Sequence, residues 1–572
     1  MSAQWIKAQD KGNSIIWKAL EDEIRRDMDS LHTVDGPKPC FISASLEDMY
    51  SISVKSSLGG TLQADENKTR SWGCRLLVGS YKLNDENFTG LDNGDPTEFQ
   101  PDNLPLDNDY YGIRRTFWAG LDQTYRSASR NYNQKIESIK KKEIDQSALE
   151  IADFADAPRV ISREVPPFSI VGKDSLERYA RRLSAAFRDY PGMVSSMVFI
   201  DLLVVNVYFV NSEGSEVRSQ IPLLRLAFRA SVYDEFGTAL SNGFQYVAES
   251  LSSLPDEAIL RENIRELAGY LDKLKAAPHF DDSYTGPVLF EGQSSTKVFL
   301  RALFNSENSM VAYREELVSS DKSQLYYSRN RNAFEARIGR VIAPKGFTIK
   351  DLPGSNAYDG VPLIGGYSVD AEGVRPPAEL VLVENGVLKN LLSSRTPSRA
   401  IDASNGHYRF SVSQIGCTEQ VAPSNILISS AEGRPDDSLK QQLIRKAKDQ
   451  GLDYAILVKP LAGSNGNVPE LVYKVDLQTG AEELIRAGYE LDMGNVTFRD
   501  LASCSNKVSV HNMLFQGSNS DRVNNFSGTA QGIAGIPMSI IAPDAVLVDR
   551  ARVTGDKKPI AGKNPPVPNP VQ

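Results

Sequence analysis

Histidine and cysteine are scarce in this chain of 572 residues, which holds four of each. The histidines, His32, His279, His407 and His511, never fall within one helical turn of one another. A multi-histidine metal site built from local spacing is therefore excluded. The cysteines, Cys40, Cys74, Cys417 and Cys504, form no C-x-x-C pair, which removes zinc ribbons and thioredoxin-like motifs. Their low number suits a reducing compartment. Long apolar runs are also missing: nothing approaches the roughly 20 residues that span a bilayer, and the N-terminus has no apolar h-region. The expectation is a cytoplasmic protein with no membrane partner, unless a leader has been removed. Finally, there is no basic excess. Lys and Arg number 64 against 73 Asp and Glu, and the longest basic run, "IKKKE" at 139–143, lies on a helical stretch and reads as a solvated face. No nucleic-acid partner is expected.

What remains is a soluble-type composition, 41% hydrophobic and 24% charged, in a chain too long for one core. "SIIWKALEDEIRRDMDSL" (14–31) repeats apolar residues at three- and four-residue steps and predicts an amphipathic helix. "CFISASLEDMYSISVKSSLGGTLQ" predicts strands around a Gly-Gly turn, and "SWGCRLLVGSYKL" a further strand. Residues 88–108, rich in Gly, Pro, Asn and Asp, predict a loop, and a long helix follows from about Tyr110. After the break at "REVPPF", "DSLERYARRLSAAFRDY" predicts a helix capped by Asp174 or Ser175. A strand meander turning at Glu213-Gly214 and a helix over 256–275 complete this half.

From Tyr284 strands and glycines dominate: "FEARIGRVIAP", "FTIKDL", "GGYSVDAEGV" and "AELVLVENGVLKNLLSSR", the last with a hairpin signal at "ENG". One helix, "PDDSLKQQLIRKAKDQG", ends at Gly451. The fold class expected is α+β in two domains. Residues 1–280 carry helices on an antiparallel sheet, with a loop insertion at about 85–110 and a long helix at about 110–145. Residues 281–552 are β-rich, and 553–572 are a Pro-rich disordered tail.

Three places offer chemistry. In "GPVLFEGQSSTKVFLRALF" a buried strand ends on Glu291, Gly292 turns the chain, and Ser294, Ser295 or Thr296 caps a helix whose buried face is Val298, Phe299, Ala302 and Leu303. Glu291 is the candidate general base; the plainer alternative is an acid that stabilises a helix start. In "LLSSRTPSRAIDASNGHYRFS" (391–411), Arg395, Asn405, His407 and Arg409 are candidates for holding a peptide carboxylate or backbone. The same loop has the residue types of a Ser/His/Asp triad but no G-x-S-x-G elbow, so a polar turn is favoured. Cys504 and His511 lie seven apart, and a small buried cysteine is favoured there over a nucleophile.

"GPVLFEGQSS", "GGYSVDAEGV", "LVLVENGVLKNLLSSRTPSRA" and "SNGHYR", in this order and spacing, resemble the TldD/PmbA proteins, a family of peptidases once called modulators of DNA gyrase. The resemblance implies a two-domain TldD/PmbA-like architecture whose members dimerise around a cleft. One member type carries an H-E-x-x-x-H zinc motif and a further cysteine ligand; the other lacks it and acts as its partner on unfolded or extended peptides. Placed here, the first histidine falls on Phe290, the glutamate on Glu291 and the second histidine on Ser295. Both imidazole ligands are missing. Cys504 lies roughly where the cysteine would be, without the family's glycine-rich context.

The expectation is therefore a metal-free, peptidase-like subunit acting on unfolded or extended peptides. No metal or cofactor of its own is expected, zinc being supplied only by a TldD-like partner subunit. A homodimer is the other assembly left open. Two alternatives stand beside it: an active metallopeptidase with an atypical metal site that keeps Glu291 as base, and a non-catalytic peptide-binding scaffold.

Overall fold

The computed structural model describes residues 3–32, 36–89, 104–141, 149–166, 168–304, 309–318, 334–460, 471–492, 498–516 and 532–555. Most of the loop insertion and the tail beyond Gly555 thus lie outside the described residues.

Two long strands, β1 (Pro39–Ser57) and β2 (Gly60–Val78), form a hairpin. Its turn residues, Leu58 and Gly59, both have positive φ, the twist a two-residue hairpin loop requires. β1 pairs on its other side with β3 (Ser195–Asn211), followed by β4 (Glu216–Tyr233) and β5 (Ala239–Ala248). One face of this antiparallel sheet is covered by four helices. α1 (Ala3–Ser30) and α2 (Tyr110–Lys140) pack over Ile42, Ala44 and Leu46. α3 (Lys173–Ala185) and α4 (Glu257–Ala276) pack over Val198, Ile200 and Leu226. "SWGCRLLV" is the second half of β2 rather than a separate strand, because the exposed polar stretch before it is also strand. α3 is capped by Gly172 in extended backbone, without a side-chain bond, so neither Asp174 nor Ser175 has the expected role.

The second half is built on two sheets. The first has eight strands: β7 (Phe347–Asp351), β8 (Leu380–Glu384), β9 (Val387–Leu388), β10 (Tyr408–Ser413), β11 (Cys417–Val421), β12 (Asn425–Ser430), β18 (Val508–Phe515) and β19 (Ala534–Pro543). The second has seven: β6 (Ser283–Glu291), β13 (Tyr454–Lys459), β14 (Leu471–Asp476), β15 (Glu482–Ile485), β16 (Ala487–Asp492), β17 (Leu501–Cys504) and β20 (Ala545–Gly555). Helix α5 (Gln293–Leu303) lies between the sheets. Its Val298, Phe299, Ala302 and Leu303 share a core with Ile428 and Ile540 of one sheet and Phe290 and Val546 of the other. α6 (Asp436–Asp449) covers the outer face of the seven-stranded sheet through Leu439 and Leu443, against Leu289 and Leu457.

Two segments read as strands are not. "FEARIGRVIAP" holds a short 3₁₀ turn, Glu335–Arg337. "GGYSVDAEGV" is a buried loop whose backbone is satisfied by a side chain: the Asp370 carboxylate accepts from the N–H groups of Glu372, Val374 and Tyr408. The halves meet where the free face of the first sheet (Met49, Leu203, Val205) packs on the eight-stranded sheet (Phe410, Val412, Leu514). Polar pairs flank that seam, among them Arg75–Glu372 at 2.5 Å and Arg486–Asp234 at 2.8 Å.

Candidate functional site

β6 and β13 run parallel, and their carboxyl ends carry Glu291 and Lys459 side by side. The carboxyl ends of parallel strands are a recurrent place for ligands. Alternation along β6 sends successive side chains to opposite faces. Val288 and Phe290 enter the core around α5. Leu289 enters the core under α6, and Glu291 follows it to that side. There the carboxylate meets Lys459 (Oε2–Nζ, 3.7 Å), whose ammonium also donates to Glu482 (2.8 Å), which in turn accepts from Lys440 of α6 (2.6 Å). Glu291 is half-buried; burial pushes its carboxyl above the usual value, and Lys459 opposes that push.

Gly292 makes the turn with φ 54°, and its N–H donates to the Asp544 carbonyl at 2.5 Å. A Cβ here would stand 2.7 Å from Cγ of Pro460, so the position requires glycine. Gly292, rather than a serine or threonine, is the N-cap of α5. Ser295 is fully buried, and its hydroxyl donates to the Pro543 carbonyl at 2.7 Å. The hydroxyls of Ser294 and Thr296 are buried without a partner.

The fit of a zinc ion can be judged from these groups. Phe290 offers no donor atom, and the Ser295 hydroxyl is engaged with a carbonyl. Glu291 faces away from both. Cys504 shares the Phe290 face: both pair with Val546, which sets them two strands, about 10 Å, apart. Burial pushes its thiol up to about 11, away from the thiolate a metal needs. His511 is buried with both ring nitrogens unpartnered, and burial lowers it to about 4. Among the described residues no group of three or more His, Cys, Asp or Glu is placed to hold a metal ion. Phe290, Glu291 and Ser295 do not fit zinc.

The loop after β9 carries Arg395, Asn405 and His407, and β10 carries Arg409; these are the four residues read as peptide-binding, and the structure buries Arg395, His407 and Arg409 and half-buries Asn405. Arg395 has no exposed side-chain surface; it holds Glu213 through two bonds of 2.7 Å, donates to the Ala155 carbonyl (2.9 Å) and stacks on Phe154 at 4.1 Å. Asn405 accepts from the Ser393 N–H (2.8 Å) and donates to the Leu391 carbonyl (2.7 Å). His407 places Nε2 3.2 Å from Asp351, with Nδ1 2.9 Å from the Asn405 carbonyl. Arg409 donates to the carbonyls of Pro423 and Pro537 over the Tyr367 ring. All four side chains, read as candidates for holding a peptide, make their polar contacts within the fold. Burial alone would raise Asp351, but His407 and Ser424 outweigh it and hold its carboxyl below the usual range. Ser424 donates to Asp351 and not to His407, so no nucleophile is activated here.

Sequence reasoning missed Lys459, Glu482, Glu213 and Asp351. Only Lys459 had a signal: "DYAILVKP" is, like "GPVLFEG", an apolar strand ending in one charge and a chain-turning residue.

Residues 285–488 match the family model described as the PmbA/TldA metallopeptidase C-terminal domain. A protein named metalloprotease from Methanothermobacter thermautotrophicus is 33% identical over 239 residues, 40% of this chain; the chain spans 45% of that relative's length. Among solved structures, TldE from Thermococcus kodakarensis aligns with TM-score 0.54 and 13% identity over 94% of this chain and all of that one. A proposed modulator of a DNA gyrase from Thermotoga maritima aligns with TM-score 0.52 and 16% identity over 90% of this chain and 96% of that one. At these identities the likeness to the solved structures is one of fold. Over residues 285–488 the chain is similar to the C-terminal domain of the TldD/PmbA family, and along most of its length it shares the fold of these two solved structures.

Proposed function

We propose that this chain is a metal-free subunit of a TldD/PmbA-type peptidase, which works with a zinc-bearing paralogue on unfolded or extended peptides. One observation supports the reading: where the resemblance puts the motif, Phe290 is core, Ser295 is bonded to Pro543, and Glu291 is paired to a lysine. The likeness in fold to TldE supports it. The proposal places the pair in the cytoplasm. The four cysteines are free thiols, and no helix among the described residues is long and apolar enough to cross a membrane.

The test is native mass spectrometry of the complex purified from its own cell, reading partner and metal together. The expected result is a second chain carrying H-E-x-x-x-H, with zinc assigned to it. A chain found only with itself overturns the proposal. A second reading, an active peptidase with an atypical site, is favoured by the name of the 33%-identical relative. It requires the pure chain to bind metal and cleave unfolded peptide, and Glu291→Gln to abolish cleavage.

A further inference from the structure

Two acids on the seam between the halves, Glu47 and Glu419, have no ion-pair partner among the described residues. We propose that they form a proton-operated latch: the β10–β11 hairpin closes on β1 and β2 while one of the two carboxyls keeps its proton, and loosens when both are ionised. The proposal concerns the isolated chain and is independent of any partner subunit.

The placement follows from strand periodicity. Met49 of β1 lies in the seam core with Phe410, Val412 and Cys417. Glu47, two residues before it, leaves the same face of β1. Glu47 is 2% exposed, and its carboxylate accepts from the hydroxyls of Ser45 at 2.5 Å and Ser71 at 2.6 Å. Across the seam, Glu419 of β11 stands opposite Phe410 of β10, and Cys417 opposite Val412. Residues paired in this way share a face. Glu419 therefore looks toward the first sheet from an edge strand, where part of its side chain reaches solvent. The turn of the hairpin rests on the same two strands. Gln414 donates to the Ser53 hydroxyl at 3.0 Å, and its carbonyl accepts from the Thr69 hydroxyl at 3.4 Å. A Cβ on Gly416 would stand 3.7 Å from Oγ of Ser71.

The cations at this rim are already committed. Arg75 of β2 is bonded to Glu86 and to Glu372, each at 2.5 Å. Arg395 gives its N–H to Glu372 and its guanidinium to Glu213. The Asp370 carboxylate is taken up by backbone N–H groups. Tyr408 and Cys417, the other titratable groups on the seam face of the hairpin, are pushed above their usual values by burial and by neighbouring carboxylates, and stay neutral. Burial, then the charges of Glu47 and Glu372, push the Glu419 carboxyl up to about 7, against the pull of Arg75. Burial also raises Glu47, against its two hydroxyl bonds. Carboxyls raised in the folded state stabilise it when protonated. That stabilisation is complete below the unfolded value of about 4.3 and is lost as pH rises through the folded values.

The test is hydrogen exchange of the full-length chain, read by mass spectrometry at pH 6 and pH 8.5, with each rate divided by its intrinsic rate at that pH. Peptides covering 408–421 are expected to lose about tenfold in protection between the two, the equivalent of one pKa unit, while peptides from β13 keep theirs. Glu419→Gln should hold the pH 8.5 protection at the wild-type pH 6 level. Glu47→Gln should do the same, and the double variant should gain no more than about twofold over either single one. Unchanged wild-type protection across this range overturns the proposal, and so does a loss that survives in Glu419→Gln. Gains from the two single variants that multiply in the double one also overturn it, because the acids would then act separately. Glu47 is buried, and if Glu47→Gln does not fold, the wild type and Glu419→Gln at the rim decide the matter.

Discussion

Two residues read from the sequence as candidates for chemistry, Arg395 and Glu291, each sit in a carboxylate–cation pair, and the structure separates the two pairs by exposure. Glu213 and Arg395 meet at the seam between the halves, with the guanidinium wholly buried, two parallel bonds of 2.7 Å and an aromatic ring beneath it. Glu291 and Lys459 meet at 3.7 Å at a strand end, each side chain about one-third exposed. The first pair joins segments far apart in the chain, so its loss would be felt across the seam. The second, long and half-exposed, is expected to contribute little to the fold. A polar residue in a motif is thus not a measure of its energetic weight; burial and the fit of the partner are.

The sharpest way to break this comparison is Arg395→Met. It strips Glu213 of its buried guanidinium partner and is expected to cost about 3–5 kcal/mol, the usual price of breaking a buried pair, read by denaturant unfolding. Arg395→Lys should recover little of it, because an ammonium cannot make both bonds and stack on Phe154.

Next comes Asp351→Asn. Asp351 and His407 are both fully buried; the carboxylate lies 3.2 Å from His407 Nε2 and takes bonds from the hydroxyl and N–H of Ser424. The expected loss is about 1.5–3 kcal/mol at neutral pH. The sign of its pH dependence follows from the depressed carboxyl. The stabilisation is complete above the unfolded value of about 3.9 and disappears as pH falls through the folded value, so the variant should show a flatter acid limb in thermal melts. Gly292→Ala follows, at about 1–3 kcal/mol, because alanine must hold a positive φ and meet Pro460. Equal melting temperatures for Gly292→Ala and wild type would show that the turn is free to rearrange.

How much of this was legible in the sequence depends on whether the cause was local. The hairpin at Asn385-Gly386 was readable because its dipeptide supplies the positive φ the turn needs, whereas the turn read at Gly59-Gly60 lies one residue earlier, at Leu58-Gly59. Strand β5 was not: "ALSNGFQYVA" is broken by Asn and Gly, and its pairing with β4 overrides that. The "GGYSVDAEGV" loop carries strand-like residues, but its hydrogen bonds go to the Asp370 carboxylate. At the candidate site, that neither Phe290 nor Ser295 can offer an imidazole was plain from residue identity alone. Which way Glu291 faces was not, because the side-chain period changes at Gly292 from strand to helix, and the partner that decides the matter, Lys459, comes from a distant strand. The arginine and histidine of the 391–411 loop read as binding groups for the converse reason: their partners, Glu213 and Asp351, are also distant, and polarity without visible partners looks like function.

The smallest expected effect is the most informative about Glu291. Burial raises its carboxyl above the ordinary value even with Lys459 beside it, so the folded state prefers the protonated form more than the unfolded state does. Stability therefore falls as pH rises from the unfolded value of about 4.3 through the folded one, and then levels. Glu291→Gln removes that titration. Below the unfolded value the two proteins should melt together, since the amide resembles the neutral acid. At pH 8 the variant should be slightly more stable, by less than about 1 kcal/mol, the range of a half-exposed pair. The gain should be the same in low and in moderate salt if burial dominates, and should grow as salt weakens the lysine pair if the ion pair is what keeps the charge in place. A loss of stability at pH 8 would mean that the pair outweighs the burial, and Glu291 would then belong with Glu213 as a structural acid.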